Sequence, residues 1–183
     1  MVLAAVARPR FDSSGNQEFD GKIGNFPFRY KEPGKRTSKN RVAGTVETKP
    51  VSSVTKDVIR SCLIEKFLSA IRAKWPHDTK DVIFIQQGNA KPHIDPNDPE
   101  FLEVASSDRF NINLSCQPPN SLDMNVLDHR FFRAIQSLQH QEAPSTVDDL
   151  VNAIDGFHSF LATSILLYFF QFLCSCTYFL YPL

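Results

Sequence analysis

Ionisable side chains are missing from the last part of this sequence: from Ser159 to Leu183 there is no Lys, Arg, Asp, Glu or His. A stretch without charge is not expected to lie open to water. It is also long enough for a transmembrane helix, which takes about 20 apolar residues. Cysteine is scarce, with four in the chain. Cys62, Cys116, Cys174 and Cys176 make no CxxC or Cys/His spacing, which argues against a zinc module and against a disulfide framework. A reducing compartment is the default expectation. No internal repeat is present. No signal-peptide pattern opens the chain either, because the apolar run from Met1 to Ala7 is short and has no charged residue ahead of it. Net charge is absent as well: 20 Lys plus Arg balance 20 Asp plus Glu, so the total charge points to no class of partner.

What is present is a chain of 183 residues, 42% apolar and 22% charged, as expected of one globular domain plus extras. Its charge is unevenly spread. Between Lys22 and Lys49 the only acids are Glu32 and Glu47, against eight Lys or Arg. Within that segment Arg29, Lys31, Lys35, Arg36, Lys39 and Arg41 are candidates for contact with nucleic-acid phosphates, since sequence-independent affinity comes from such charge. They also fit a nuclear-import signal or a merely solvated loop.

Periodicity gives a coarse element order. Val2 to Ala7 reads as a short buried strand, and Ser13 to Asn16 as a turn. Lys22 to Tyr30 alternates as a second strand, with a loop following from Lys31 to Arg41. Ser53 or Thr55 offers an N-cap for a helix that ends at Pro76. Its apolar stripe is Val58, Ile59, Cys62, Leu63, Phe67, Ala70 and Ile71. Val82 to Gln86 is a continuous apolar run, typical of a strand buried on both faces. Asp98-Pro99 starts another helix, and Phe110 to Leu114 reads as a strand. Pro118 to Ser121 is a turn. Leu127 to Leu138 is an amphipathic helix, and a last helix starts at Ser145. This alternation predicts an α/β layer fold with some parallel pairing.

Two blocks carry chemistry. From Ile83 to His93 the sequence is IFIQQGNAKPH, and from Gln117 to Gln136 it is QPPNSLDMNVLDHRFFRAIQ. They closely resemble the signature blocks of plant mariner-like transposases, QQDNAxxH and QPPNSPDxNVLDLGFFRAIQ. LAAVARPRF (Leu3 to Phe11), FDGKIGNFPF (Phe19 to Phe28) and NRVAGTVETKP (Asn40 to Pro50) extend the resemblance, which runs in order from about residue 2 to about residue 154.

The resemblance implies an RNase H-like core in which three aspartates on separate elements hold two Mg²⁺ or Mn²⁺ ions. Such a pair of dications stabilises both the attacking and the leaving oxygen of a phosphodiester, and hard cations take carboxylate oxygens. Carried onto this sequence, the first aspartate, from an IDEKWF-like block, falls ahead of residue 1. The second falls on position 88, which is Gly88, and the third on Asp128, with 39 residues between them as in plant relatives. Leu122 stands where the family has Pro, and His129-Arg130 where it has Leu-Gly. Asp128, near a helix N-terminus, keeps at most a weak hold on a hydrated cation. Asp95, Asp98 and Asp123 read as caps and turns rather than replacement ligands, and His93 as structural rather than metal-binding.

The expectation is therefore a partial RNase H-like core over residues 1–157, with its central first strand missing, followed by an apolar tail over 158–183 that forms a C-terminal helix. Val2 to Ala7 and Val82 to Gln86 are expected to lose the strand between them, leaving edges prone to aggregation. The family's N-terminal helix-turn-helix region has no counterpart here, so recognition of specific transposon ends is not expected. No bound cofactor and no catalysis are expected. DNA is the partner implied by the resemblance, and the nucleus the compartment. Alternative readings are a sequence-indifferent nucleic-acid binder and a small membrane protein anchored through Ser159 to Leu183, with Tyr178 and Tyr181 near the interface.

Overall fold

A computed structural model describes residues 1–37, 39, 41–76, 82–107, 110–120, 136–137, 140–141 and 143–160, together with the strand 177–182; for 157–160 and 177–182 the description is of the backbone. Five strands form the main sheet, in the order β4-β1-β9-β7-β8.

Strand β1 (Val2–Val6) is buried at all five positions, as its unbroken apolar run predicts. It pairs antiparallel with β4 (Lys22–Pro27), from Val2 opposite Pro27 to Val6 opposite Lys22, with a bulge between Ala5 and Val6. Between them a small hairpin, β2 (Arg10–Phe11) and β3 (Gln17–Phe19), turns around Asp12. The Asp12 carboxylate accepts from the backbone N–H of Ser14 at 2.8 Å and of Asn16 at 2.7 Å. Gly21 then brings the chain into β4 with φ of +81°. Its carbonyl accepts from the Ala7 N–H at 2.6 Å, and a Cβ there would overlap the Ala7 carbonyl, so glycine is required.

The strand expected from Lys22 to Tyr30 is in fact two. After Phe28 the chain starts β5 (Arg29–Pro33), which pairs antiparallel with β6 (Val46–Pro50) as a separate two-stranded ribbon. The loop expected from Lys31 onward is thus strand as far as Pro33. Its partner β6 had no recognisable signature, because Val-Glu-Thr-Lys-Pro buries no face: none of its five residues is buried.

The helix beginning at Thr55 is interrupted. The Thr55 hydroxyl accepts from the Val58 N–H at 3.4 Å, opening α1 (Lys56–Cys62). A wider π-helical turn follows over Leu63–Phe67 before α2 (Leu68–Lys74) resumes. One extra residue in a turn rotates everything after it. The buried face therefore passes through Ile59, Cys62, Leu63 and Phe67 and continues through Leu68, Ile71 and Trp75. Leu68 lies off the simple 3.6-residue stripe, yet its exposure is 0%. Trp75 ends the helix with extended backbone at ψ 136°, as a residue before proline must. Its ring meets Phe19 edge-on at 5.3 Å and lies under the Arg10 guanidinium at 4.7 Å.

Strands β7 (Val82–Gln87) and β8 (Asn111–Cys116) run parallel in register, from Val82 opposite Asn111 to Gln87 opposite Cys116. The crossover between them contains α3 (Pro99–Ala105). Asp98 caps α3, accepting from the Phe101 N–H at 3.1 Å, and takes two further bonds from Arg60 Nε and Nη2, at 2.9 and 2.7 Å to Oδ2. Hydrogen bonds from Arg60 hold the Asp98 carboxyl below the ordinary carboxylate range. Asp95 accepts from the Asn97 N–H at 2.8 Å. Both acids thus occupy the cap and turn roles their neighbourhoods suggest.

A carboxyl depressed in the fold contributes stability that is full above its unfolded pKa, about 4, and is lost as pH falls through the folded value. Asp98→Asn is accordingly expected to lower stability by about 1–2 kcal/mol at neutral pH, with the gap from wild type closing below about pH 4. Thermal melts followed by circular dichroism across that range check this; an equal gap at every pH would rule out the ion pair.

The last helix, α4 (Val147–Phe160), opens with a reciprocal cap. Thr146 Oγ1 accepts from the Asp149 N–H at 3.1 Å, and the Asp149 carboxylate accepts from the Thr146 N–H at 3.0 Å. Val151 and Ile154 are buried, and the helix lies against β4, where Asn25 Nδ2 donates to the Ile154 carbonyl at 3.4 Å.

The end of the chain departs from expectation. Thr177–Pro182 forms β9, which enters the sheet between β1 and β7, antiparallel to the first and parallel to the second. The gap expected between Val2–Val6 and Val82–Gln87 is filled, and the apolar stretch is not a single helix through to its end. Thr, Tyr and Phe favour strands, and two facing apolar strands with free backbone groups on both sides of a slot demand a partner. Among the described residues no helix is long and apolar enough to cross a membrane. The helix expected from Leu127 falls mostly outside the described residues.

Candidate functional site

In open α/β sheets ligands gather at the carboxyl ends of parallel strands, and Gly88 stands there, directly after β7. Asp128 and Asp123 lie outside the described residues. The structure gives the surroundings of Gly88 as a polar knot. The Gln87 side chain, fully buried, donates from Nε2 to the Ile94 carbonyl at 2.6 Å. Its backbone carbonyl accepts from the Gln117 N–H at 2.8 Å. Asn89 Nδ2 donates to the Gln117 carbonyl at 2.7 Å, linking the ends of β7 and β8.

His93 folds back onto Gly88 and donates from Nδ1 to the Gly88 carbonyl. A carbonyl only accepts, so Nδ1 carries the proton and Nε2 is left as the acceptor. Burial pushes the imidazole pKa down, which keeps this ring neutral near pH 7. A lone histidine without Cys or His partners was expected to be structural, and the geometry gives it such a part: it pins the loop that follows position 88.

Two buried amide atoms, Gln86 Nε2 and Gln87 Oε1, have no hydrogen-bond partner among the described residues. Each such group costs about 1–3 kcal/mol, so this strand end carries unspent polarity. The apolar run read from the sequence did not foretell it, because that run gave no account of two polar side chains buried at its end.

The described side chains here do not fit a pair of divalent ions. They offer amides and one imidazole, whereas Mg²⁺ takes carboxylate oxygens, and glycine at 88 supplies none. Among the described residues no cluster of three or more His, Cys, Asp or Glu is arranged to hold a metal ion. Cys62 offers no nucleophile: burial raises its thiol to about 11.

The basic segment is sorted by the β5–β6 ribbon. Glu32 sits opposite Glu47 in the register, an unfavourable pairing that nearby cations offset. Lys49 reaches Glu32 at 3.2 Å, Lys35 approaches it at 3.7 Å, and Arg41 pairs with Glu47. Arg29 reaches across to Asp148 on α4 at 2.7 Å. Lys35 and Arg41 are thus engaged within the ribbon. Lys31, Arg36 and Lys39 are exposed, and no acidic partner accompanies them among the described residues. Beside Lys31, Tyr30 is 47% exposed. An open groove of about 280 Å³ runs along this side, lined by Asn25, Arg29, Tyr30, Lys31 and Lys66 among others. Sequence reasoning named the cations but missed Tyr30 and Lys66. Tyr30 fell at the end of an expected strand, and Lys66 falls outside the apolar stripe of the expected helix.

Comparison with protein-family models, with curated proteins and with solved structures finds no match for this chain.

Proposed function

We propose that this chain derives from the catalytic core of a mariner-like transposase and has lost DNA cleavage and strand transfer. The observation that carries the reading is the residue at position 88. The signature block puts a metal-binding aspartate there, directly after a buried strand; here the position holds glycine, at the carboxyl end of β7. Two dications in one pocket need several negative charges, and of the two motif positions that fall on this sequence Asp128 alone has a carboxylate. The strand order also favours an RNase H-like ancestry, because the slot between β1 and β7 is where that fold has its central first strand.

Nicked or linear transposon-end DNA incubated with the purified chain and Mg²⁺ or Mn²⁺ is expected to stay intact. Metal-dependent cutting or strand transfer above background would sink the proposal.

The ribbon supports a second reading, sequence-indifferent nucleic-acid binding. Its free cations, with an aromatic ring beside them, suit a phosphate backbone and an unpaired base. Replacing Lys31 and Arg36 together by alanine is expected to weaken binding equally for unrelated duplexes. It should also reduce the slope of log affinity against log salt by about 2. Fluorescence anisotropy titrations at several salt concentrations measure both. If the unaltered chain shows no binding even at low salt, this reading is lost.

A further inference from the structure

The groove beside Tyr30 is built from three elements. Asn25 and Pro27 come from β4, Arg29, Tyr30 and Lys31 from β5, and Lys66 from the π-helical turn. Lys66 owes its place to its neighbour. Phe67 is fully buried and meets Phe26 of β4 edge-on, and Phe26 lines the same groove. The turn that carries Lys66 is thereby fixed against a strand that shapes the site. The charge is one-sided. No acidic side chain lines the groove among the described residues. Arg29 is engaged by Asp148 at 2.7 Å, and Glu32, next to Lys31 in the chain, is engaged by Lys49 at 3.2 Å. Lys31 and Lys66 are exposed, with no acidic partner among the described residues. Two ammonium groups therefore share a groove with a tyrosine that is 47% exposed.

Size and chemistry choose between the forms of nucleic acid. A space of about 280 Å³ is on the scale of one nucleotide and far too small for a duplex. Within a duplex the bases present only their edges, in the two grooves, because their faces are stacked on one another. An aromatic ring can take the face of a base only where the strand is single, and cations beside the ring then meet the phosphates on either side. Every base has such a face, so the contact is indifferent to sequence.

We infer that this groove takes single-stranded nucleic acid in preference to duplex, with a base stacked on Tyr30 and neighbouring phosphates on Lys31 and Lys66; this rests on the nucleic-acid reading of the ribbon. Anisotropy titrations of the full chain against fluorescein-labelled oligothymidylate and a labelled duplex of equal length, at the same low salt, test it. The single strand is expected to bind more tightly. Tyr30→Ala should weaken single-strand binding by about 5- to 150-fold and leave duplex affinity unchanged, which also shows that the variant is folded. Tyr30→Phe keeps the ring and should bind as the unaltered chain does. Lys66→Ala should reduce the slope of log affinity against log salt for the single strand by about 0.7. Polyglutamate of matched total charge should displace the labelled strand less well than unlabelled oligothymidylate does.

Equal affinity for the two forms overturns the single-strand site while leaving the ribbon a nucleic-acid binder. So does a loss in Tyr30→Phe as large as in Tyr30→Ala, or an unchanged salt slope in Lys66→Ala. Equal displacement by polyglutamate overturns it too, because the groove would then read charge alone and an acidic peptide would serve as well. If neither form binds, the single-strand site and the nucleic-acid reading beneath it fall together.

Discussion

Phe67→Ala lowers the unfolding free energy by about 3–5 kcal/mol, the usual loss when a fully enclosed phenyl ring is removed. Phe67 has 0% exposure and meets Phe26 of β4 edge-on, with ring centres 5.7 Å apart. It is the last residue of the π-helical turn, so the ring stands where the helix shifts its buried face from one stripe to the next. Neighbours on both stripes are fixed by the backbone and cannot collapse into the hole, which places the loss toward the upper end of the range. A domain is stable by only about 5–15 kcal/mol, so the variant should be largely unfolded at moderately raised temperature. Urea titration followed by tryptophan fluorescence reads it directly, since Trp75 lies in the same core. A loss under about 1 kcal/mol would mean the ring is not enclosed.

Phe179→Pro is expected to have the second large effect. Proline has no N–H to give, and in a strand flanked on both sides it breaks the ladder wherever it falls. At residue 179, opposite Gln86, the substitution removes a backbone N–H from a strand inside the sheet and fixes φ. The cost is about 3 kcal/mol or more. With β9 displaced, β1 and β7 present bare edges, and aggregation follows. The expected readout is loss of a cooperative melt with more material in the pellet. Proline at exposed Val42, outside any strand, is the control and should melt normally. Indistinguishable melts for the two would remove β9 from the sheet.

What could be read in the sequence follows from where burial is continuous. Strand β1 and the cap at Asp98 were legible because apolar runs and N-cap chemistry are local signals; β7 was legible as a strand, but not as one buried on both faces, since Val82 and Phe84 are exposed. Strands β5 and β6 were not. Their side chains are mostly exposed, and Lys31 to Arg41 looks like a loop because Pro, Gly and charge dominate it. Leu68 was missed because a single inserted residue shifts helical phase without leaving a mark in composition. The tail shows a different limit. Its lack of charge states that it must be buried, yet hydropathy does not distinguish a lipid interior from a gap in a sheet.

At the site, position 88 was legible as a residue identity, through its place in a motif. The knot around it was not. The Gln87 bond to Ile94 and the His93 bond to Gly88 depend on a loop returning to its own strand end, which spacing alone does not encode. The division of the basic segment into paired and free cations likewise required the register of the ribbon, since Glu32 and Glu47 choose their partners by position across the strands.

The place of β9 also sets a timetable. Ala4 and Tyr181 are opposed in the sheet yet separated by most of the sequence, so the middle of the sheet stays open while the residues between them are made. After β7 ends at Gln87, β9 begins only at Thr177; at ~5–20 residues per second that interval is roughly five to twenty seconds, during which β1 and β7 have emerged with no strand between them. A nascent chain in that condition is a client for chaperones that shield hydrophobic edges, and its yield in a cell should follow their supply more closely than its final stability.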